Sequence, residues 1–172
     1  MIALIPAISS VRRHAWRIMH GLKPSASVMT IPVYPAVFTL QEDRRYVVNF
    51  CDFSNASAAG DTLDQATQNA AIALTAHLEM LLASDEPIPT PSEDATATLV
   101  APSARVQSAI LFRWHLGEHR TSEVMRSLQT SWARVRDLQT AGRNITIDRA
   151  DEAARALGYS LVLSYAPISS PD

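Results

Sequence analysis

The sequence has little of what several protein classes require. Its one cysteine, Cys51, excludes a disulfide framework within the chain and favours a reducing, cytoplasmic setting. No apolar run reaches the roughly 18 residues of a transmembrane helix. There are only five glycines and no glycine-rich loop, so no phosphate-binding loop is expected. We therefore expect no membrane contact and no cofactor.

The charges divide the chain into three unlike segments. With 47% apolar and 19% charged residues, the 172-residue chain has a globular composition and fits one domain or two small ones. Residues 1–28 have four basic residues and no acid. Residues 29–100 have ten acids against two arginines, and residues 101–172 have nine arginines against seven acids. This division predicts parts with different partners.

Residues 1–28 form a basic leader. The apolar stretch (2–8) precedes the basic stretch (12–23), the reverse of a secretory signal, so export is not expected. A transit peptide and an arm that contacts a polyanion both remain open. Met29 is an alternative start, since a β-rich segment begins just after it. We expect residues 1–28 to be either disordered or not translated.

The acidic middle predicts a small sheet. Two β-rich runs, 33–40 and 45–52, flank a short charged turn, which indicates an antiparallel hairpin, and a third short strand or irregular turn is expected before Gly60. Pro35 restricts the first run to a sheet edge or a strand start.

A long helix should follow. Thr62 and Gln65 have the spacing of a capping box, and the prolines of 87–92 end the helix. Behind the cap, apolar residues recur at three- and four-residue steps: Leu63, Ala66, Ala70, Leu74, Leu78 and Leu81. A small antiparallel sheet with one packed helix is a complete two-layer domain of the α+β class, to which we assign residues 29–95.

The acids of this segment allow two functions. Carboxylates near strand ends, including Asp52, could hold Mg²⁺ for a nuclease. Alternatively, an acidic face that includes Glu42, Asp43 and Asp52 could bind a basic protein. A solvated face with no function is the third interpretation. We expect no metal.

Five segments of the middle region resemble the HicB antitoxin family: 34–38 (YPAVF), 46–50 (YVVNF), 60–66 (GDTLDQA), 69–70 (NA) and 87–92 (PIPTPS). The most specific of them are the helix start Gly-Asp-Thr and the proline-rich segment 87–92, which we call the proline exit. The resemblance implies a degenerate ribonuclease-H-like fold without nuclease activity. It also implies a toxin partner, HicA, which is a small basic RNA-cleaving protein.

The basic end predicts an all-α domain. After a linker at 96–102, apolar periodicity indicates helices at about 103–117, 122–128, 132–139 and 147–157. The second and third, joined by a three-residue turn, have the spacing of a helix-turn-helix. We assign residues 103–165 to this domain, including a short final strand (161–165) that could pair across a dimer, and residues 166–172 to a tail.

The third of these helices is the expected DNA-reading helix. The residues expected to contact bases are Ser131, Trp132, Ala133 and Arg136. The residues expected to hold phosphates are Thr121, Arg126, Arg134 and Arg143. The segment resembles the Cro/C1-type domain found at the C-terminus of many HicB proteins, including the closing Leu157-Gly158 before an apolar stretch.

Three residues depart from that pattern. Gln129 stands where the turn usually has Gly, and a non-Gly residue at φ > 0 costs about 1 kcal/mol. Met125 replaces a small residue in the preceding helix, and Asp137 repels phosphate from the reading face. We therefore expect weak DNA binding by one copy, and two copies on a palindromic site. A solvated helical domain that binds no DNA is the alternative.

One string resembles a zinc-protease motif. Residues 115–119 read His-Leu-Gly-Glu-His, but Gly117 interrupts the helix, so a chance match is expected. His77 is expected to be a half-buried packing residue on the long helix.

The sequence thus predicts a cytoplasmic, non-enzymatic antitoxin. Its acidic domain should neutralise a HicA-like toxin, and its helix-turn-helix should bind the operator of its own operon as a homodimer or homotetramer. The alternative is a stand-alone HicB-like repressor without a toxin partner.

Overall fold

A computed structural model describes residues 31–94, 96–117, 121–141 and 145–163. The described residues up to Leu161 belong to one compact unit. Across these ranges, no helix is both long and apolar enough to cross a membrane. The basic leader (1–28) and the tail (166–172) lie outside the described residues.

Four antiparallel strands form one sheet. They are β1 (Tyr34–Leu40), β2 (Tyr46–Phe50), β3 (Ser57–Gly60) and β4 (Thr98–Val100), in the spatial order β3-β2-β1-β4. The hairpin and the third strand are as predicted. β4 lies inside the segment 96–102 that we assigned to a linker.

Pro35 explains where one ladder of the sheet ends. Its carbonyl accepts a hydrogen bond from the Cys51 N–H at 2.9 Å, but proline has no N–H to return it. The pairing of β1 with β2 therefore stops at Ala36–Phe50. Of our two alternatives, the strand start is confirmed, while the sheet edge is wrong because β1 pairs with β2 on one side and with β4 on the other.

Helix α1 (Leu63–Ala83) lies against one face of the sheet. Half of the predicted capping box forms, since the Thr62 hydroxyl accepts from the Gln65 N–H at 3.2 Å. The Gln65 side chain accepts from the Asp61 N–H at 3.1 Å and not from the Thr62 N–H, so the return bond reaches one residue further back than predicted. Of the predicted stripe, Leu63 is exposed and the others are buried: Ala66, Ala70, Leu74, Leu78 and Leu81.

Four further helices follow, each within a few residues of its predicted range. They are α2 (Ala104–Leu116), α3 (Thr121–Ser127), α4 (Trp132–Gln139) and α5 (Ile147–Ala156). The fold is therefore of the α+β class, a small antiparallel sheet with one packed helix followed by several helices. Residues 161–163, the described part of the predicted final strand, are in no strand within this chain.

The buried side chains form two cores. The first lies between the sheet and α1 and includes Tyr34, Val48, Leu74 and Leu78. The second joins the helices that follow: Phe112, Leu116, Val124, Val135, Leu138, Ala153 and Leu157. Helix α2 contributes to both cores, since Val106, Ala109 and Ile110 belong to the first one.

Candidate DNA-binding and partner-binding surfaces

Helix α4 presents the predicted reading residues to solvent. Val135 and Leu138 are buried in the second core, which turns the opposite side of the helix outward. All four expected base-contacting residues are exposed: Ser131, Trp132, Ala133 and Arg136. This arrangement is what insertion of a helix into a DNA groove requires.

The helical period places these residues unequally on the exposed side. At about 100° per residue, Ala133 and Arg136 lie opposite the buried side, and Trp132 and Arg134 lie at its two borders. Asp137 is exposed beside Ala133, so a carboxylate shares the surface that would approach DNA. Ser131 holds the N-cap position, but its hydroxyl makes no capping hydrogen bond.

The predicted phosphate contacts surround this helix. Arg126 and Arg134 are exposed, and neither forms an ion pair with a described acid, nor does Arg136. Thr121 is the first residue of α3 and is half-buried. Arg143 lies outside the described residues.

The turn between α3 and α4 carries the predicted backbone strain. Gln129 has φ +47°, in the left-handed region that favours glycine. The Thr130 N–H donates to the Met125 carbonyl at 3.0 Å, and the Gln129 N–H donates to the Arg126 carbonyl at 3.2 Å. These bonds close the end of α3 in the manner of a Schellman motif. Met125 is half-buried against the second core.

The acids of the first domain divide into two groups. Glu42 and Asp43 lie in the β1–β2 turn, and Arg45 near them pairs with Asp61 at 3.3 Å. Asp52 follows the other end of β2, about 17 Å away along the strand. The predicted face of Glu42, Asp43 and Asp52 is therefore not one patch, because a whole strand separates its members.

Asp52 belongs instead to a second group that sequence reasoning missed. Its carboxylate accepts a hydrogen bond from the Ser92 N–H at 3.2 Å, which brings the proline exit beside it. Reduced solvation and the charges of Asp94 and Asp52 raise the pKa of the Cys51 thiol. Hydrogen bonds from Thr96 lower the pKa of the Asp94 carboxyl. We call Asp52, Glu93 and Asp94 the exit-loop acids; none forms an ion pair with a described base.

The proline exit is held from two sides. The buried Tyr34 hydroxyl donates to the Pro89 carbonyl at 3.1 Å, and the Trp114 indole N–H donates to the Ile88 carbonyl at 3.3 Å. Phe53 packs on the Tyr34 ring, with centroids 4.8 Å apart, and on His77, with centroids 5.1 Å apart. His77 is half-buried, as predicted.

The zinc-protease string has a packing role at its first residue. His115 Nδ1 lies 3.0 Å from the Leu111 carbonyl, and its ring stands edge-on to Tyr159 with centroids 4.2 Å apart. Glu118 and His119 lie outside the described residues. Among the described residues, no group of three or more His, Cys, Asp and Glu side chains is placed to hold a metal ion.

Comparison with known proteins gives one family. Residues 33–101 match the model of the HicB-like antitoxin of bacterial toxin-antitoxin systems. No curated protein sequence matches the chain. Among solved structures, the chain is similar to the crystal structure of the Burkholderia pseudomallei antitoxin HicB, with 21% identity and a TM-score of 0.41. That match covers 73% of this chain and 96% of the other.

Proposed function

Because residues 33–101 match the model of the HicB-like antitoxin, we propose that this chain is the antitoxin of a toxin–antitoxin pair and neutralises a HicA-like toxin in the cytoplasm. The family match is the observation that carries the proposal. It covers the whole sheet and α1, the elements that form the first core. The toxin implied by this family resemblance is a small basic protein, so an acidic partner surface is the complement it needs.

The exit-loop acids are the surface that supports toxin binding best. Glu93 and Asp94 are exposed and Asp52 is half-buried, and no described base neutralises them. At the turn, by contrast, Arg44 and Arg45 stand directly beside Glu42 and Asp43. An uncompensated acidic group attracts a basic partner more strongly than a mixed one does.

The second proposed activity is repression of the antitoxin's own operon. Helix α4 exposes Trp132, Arg134 and Arg136, which are side chains able to contact bases and phosphates in a DNA groove. Because Asp137 and the small positive balance of this segment weaken binding by one copy, the chain acts on a palindromic operator as a homodimer or homotetramer.

In this proposal the domain works without catalysis. Asp52, the residue on which a metal-dependent nuclease would depend, is engaged by the Ser92 N–H. An Mg²⁺-dependent cleavage of RNA or DNA that is lost in Asp52→Asn would contradict the proposal.

A stand-alone repressor is the second candidate. It is favoured by the position of α3 and α4, which lie entirely outside the matched residues 33–101. In that case, the sheet domain would serve only for assembly. The gene neighbourhood separates the two, since an adjacent gene for a small basic protein favours the antitoxin.

The deciding experiment is capture of the tagged chain from its native host, followed by mass spectrometry. Co-elution of a small basic protein of under about 100 residues, with RNA cleavage that the chain inhibits after purification, is the expected result. Recovery of the chain and DNA alone would remove the toxin-binding proposal and leave the repressor.

A further inference from the structure

Helix α2 is built into both cores of the molecule. Its first half buries Val106, Ala109 and Ile110 against the sheet and α1. Its second half buries Phe112 and Leu116 against the helices that follow. Since one rigid helix belongs to both cores, the two parts cannot turn freely about a linker.

Arg105, at the start of α2, makes a second connection. Its guanidinium donates through Nη2 to the Glu79 carboxylate on α1 and through Nη1 to the Ala141 carbonyl, two residues beyond the end of α4. The side chains of Arg105 and Glu79 are 37% and 38% exposed, so the contact is only partly open to solvent. One side chain thus joins the sheet domain to the segment that directly follows the reading helix.

Ala141 shows how closely the end of α4 is fixed. It is 2% exposed, belongs to the first core and has φ +54°. A non-Gly residue adopts this conformation only where its surroundings require it. The Arg105 charge lies at the C-terminal end of α4, where the helix dipole favours a cation.

We propose that Arg105, held by Glu79, is a positioning residue that fixes the DNA-reading helix on the antitoxin domain. This inference rests on the proposed DNA binding. In a dimer, each reading helix would then keep a constant place on its own sheet domain. The dimer would therefore bind tightly only to operators with one particular separation of the two half-sites.

The chain offers a matched control on the same helix. Arg113 pairs with Asp85, just past the end of α1, at 2.7 Å. Like Arg105, it joins α2 to the α1 region through one ion pair, but it makes no hydrogen bond to α4 or to residues 140–141. Loss of Arg113 should therefore leave the reading helix in place.

The test measures binding of the full chain to its operator and to operators with one or two base pairs inserted between the half-sites. For Arg105→Ala, we expect about tenfold weaker binding to the operator and a smaller penalty for each insertion. A lysine at position 105 cannot reach both acceptors as a guanidinium does. The operator affinity of Arg105→Lys should therefore lie between that of the parent and that of Arg105→Ala. Arg113→Ala should behave like the parent.

A purely structural role would lower the folded fraction without changing the preference for spacing. The proposal is overturned if Arg105→Ala keeps the parent's preference, or if Arg113→Ala loses it to the same extent. Circular dichroism of each variant checks that it is folded before binding is compared.

If the parent binds no operator DNA, the proposed repression fails, but positioning remains testable. Amide hydrogen exchange in residues 132–141 should then be faster in Arg105→Ala and Glu79→Gln than in Arg113→Ala. Equal exchange in all three variants would overturn the positioning role by itself.

Discussion

The Tyr34 hydroxyl donates a hydrogen bond to the Pro89 carbonyl at 3.1 Å, across 55 positions of sequence. Tyr34 is fully buried at the start of β1, and Pro89 lies in the segment that leaves α1. The contact therefore joins the start of β1 to the segment that follows α1.

Tyr34→Phe should lower the free energy of unfolding by about 1 kcal/mol, because the Pro89 carbonyl loses its donor. Urea denaturation measures the change. Tyr46→Phe is the control, since Tyr46 is only half-buried and its hydroxyl makes no hydrogen bond with a described residue. The control should stay within about 0.5 kcal/mol of the parent. Equal losses in both would show that the bond to Pro89 adds nothing.

The same residue predicts an alkaline limit of stability. Burial and the nearby Asp52 charge raise the Tyr34 pKa above its usual value of 10.0. Above that pH the unfolded chain loses the phenolic proton first, so the folded state binds more protons and stability falls as pH rises. Unfolding curves from pH 8 to 11 should show this decline in the free energy of unfolding. In Tyr34→Phe the decline should be smaller, because the ionisation of Tyr34 no longer contributes to it.

Gly60→Ala should be strongly destabilising. A Cβ at position 60 would lie 2.3 Å from the Ala66 backbone nitrogen and 2.8 Å from the Gln65 carbonyl carbon. Because backbone atoms cannot yield as a flexible side chain can, we expect a loss of about 3 kcal/mol in the free energy of unfolding. Thermal denaturation measures it.

Gly117→Ala provides the matched control for Gly60→Ala. A Cβ at Gly117 would meet only the Trp114 carbonyl oxygen, at 3.6 Å, and the backbone there is helical. This variant should be neutral or slightly more stable than the parent. A Gly60→Ala protein as stable as Gly117→Ala would contradict the close approach of β3 to α1.

Gln129→Gly should stabilise the helix-turn-helix. Glycine adopts the φ of +47° without a Cβ clash, so the midpoint of urea unfolding should rise, with a gain of up to about 1 kcal/mol. Gln129→Ala keeps the strain and should show no gain. A gain of the same size in both variants would mean that the glutamine side chain, and not the backbone, causes the effect.

Arg136→Ala should lower operator affinity by about 1–3 kcal/mol and leave toxin binding unchanged. Arg155→Ala removes the same charge from α5, where Arg155 is exposed and paired with Asp151 at 2.7 Å. Fluorescence anisotropy with labelled operator compares them. Equal effects of both variants on operator affinity, or loss of toxin binding with Arg136→Ala, would contradict the proposal that the helices bind DNA and the sheet domain binds the toxin.

Asp94→Asn should weaken toxin binding two- to fivefold at low salt, because it removes one charge from the exit-loop acids. Added salt should reduce the difference by screening. Glu42→Gln is the control in the arginine-containing turn. Isothermal titration with the purified toxin measures both, and a larger effect of Glu42→Gln would move the proposed surface to the hairpin turn.

Much of the fold follows from local signals. The hydrogen bond from the Gln65 N–H to the Thr62 hydroxyl marks where α1 begins, and it was predictable because both residues lie within one turn of the chain. The positive φ at Gln129 was predicted from the family resemblance, since the related turn usually has Gly at that position.

Local sequence patterns could not predict the contacts between distant segments of the chain. β4 has only three residues, and its place beside β1 depends on the hydrogen-bonding edge that β1 leaves open. The acids Glu42, Asp43 and Asp52 are close in sequence, yet a strand holds them apart, because an extended chain gains about 3.4 Å per residue.

The sequence by itself determined the helices, the hairpin, the caps and the exposed side of α4, since each depends on residues within one or two turns. Only the tertiary structure decided that Asp52 joins the proline exit, that α2 serves two cores, and that Arg105 links Glu79 to Ala141. These contacts bring together segments that are 26 to 40 positions apart. No local periodicity encodes such pairs, because they form only when buried surfaces of separate elements meet.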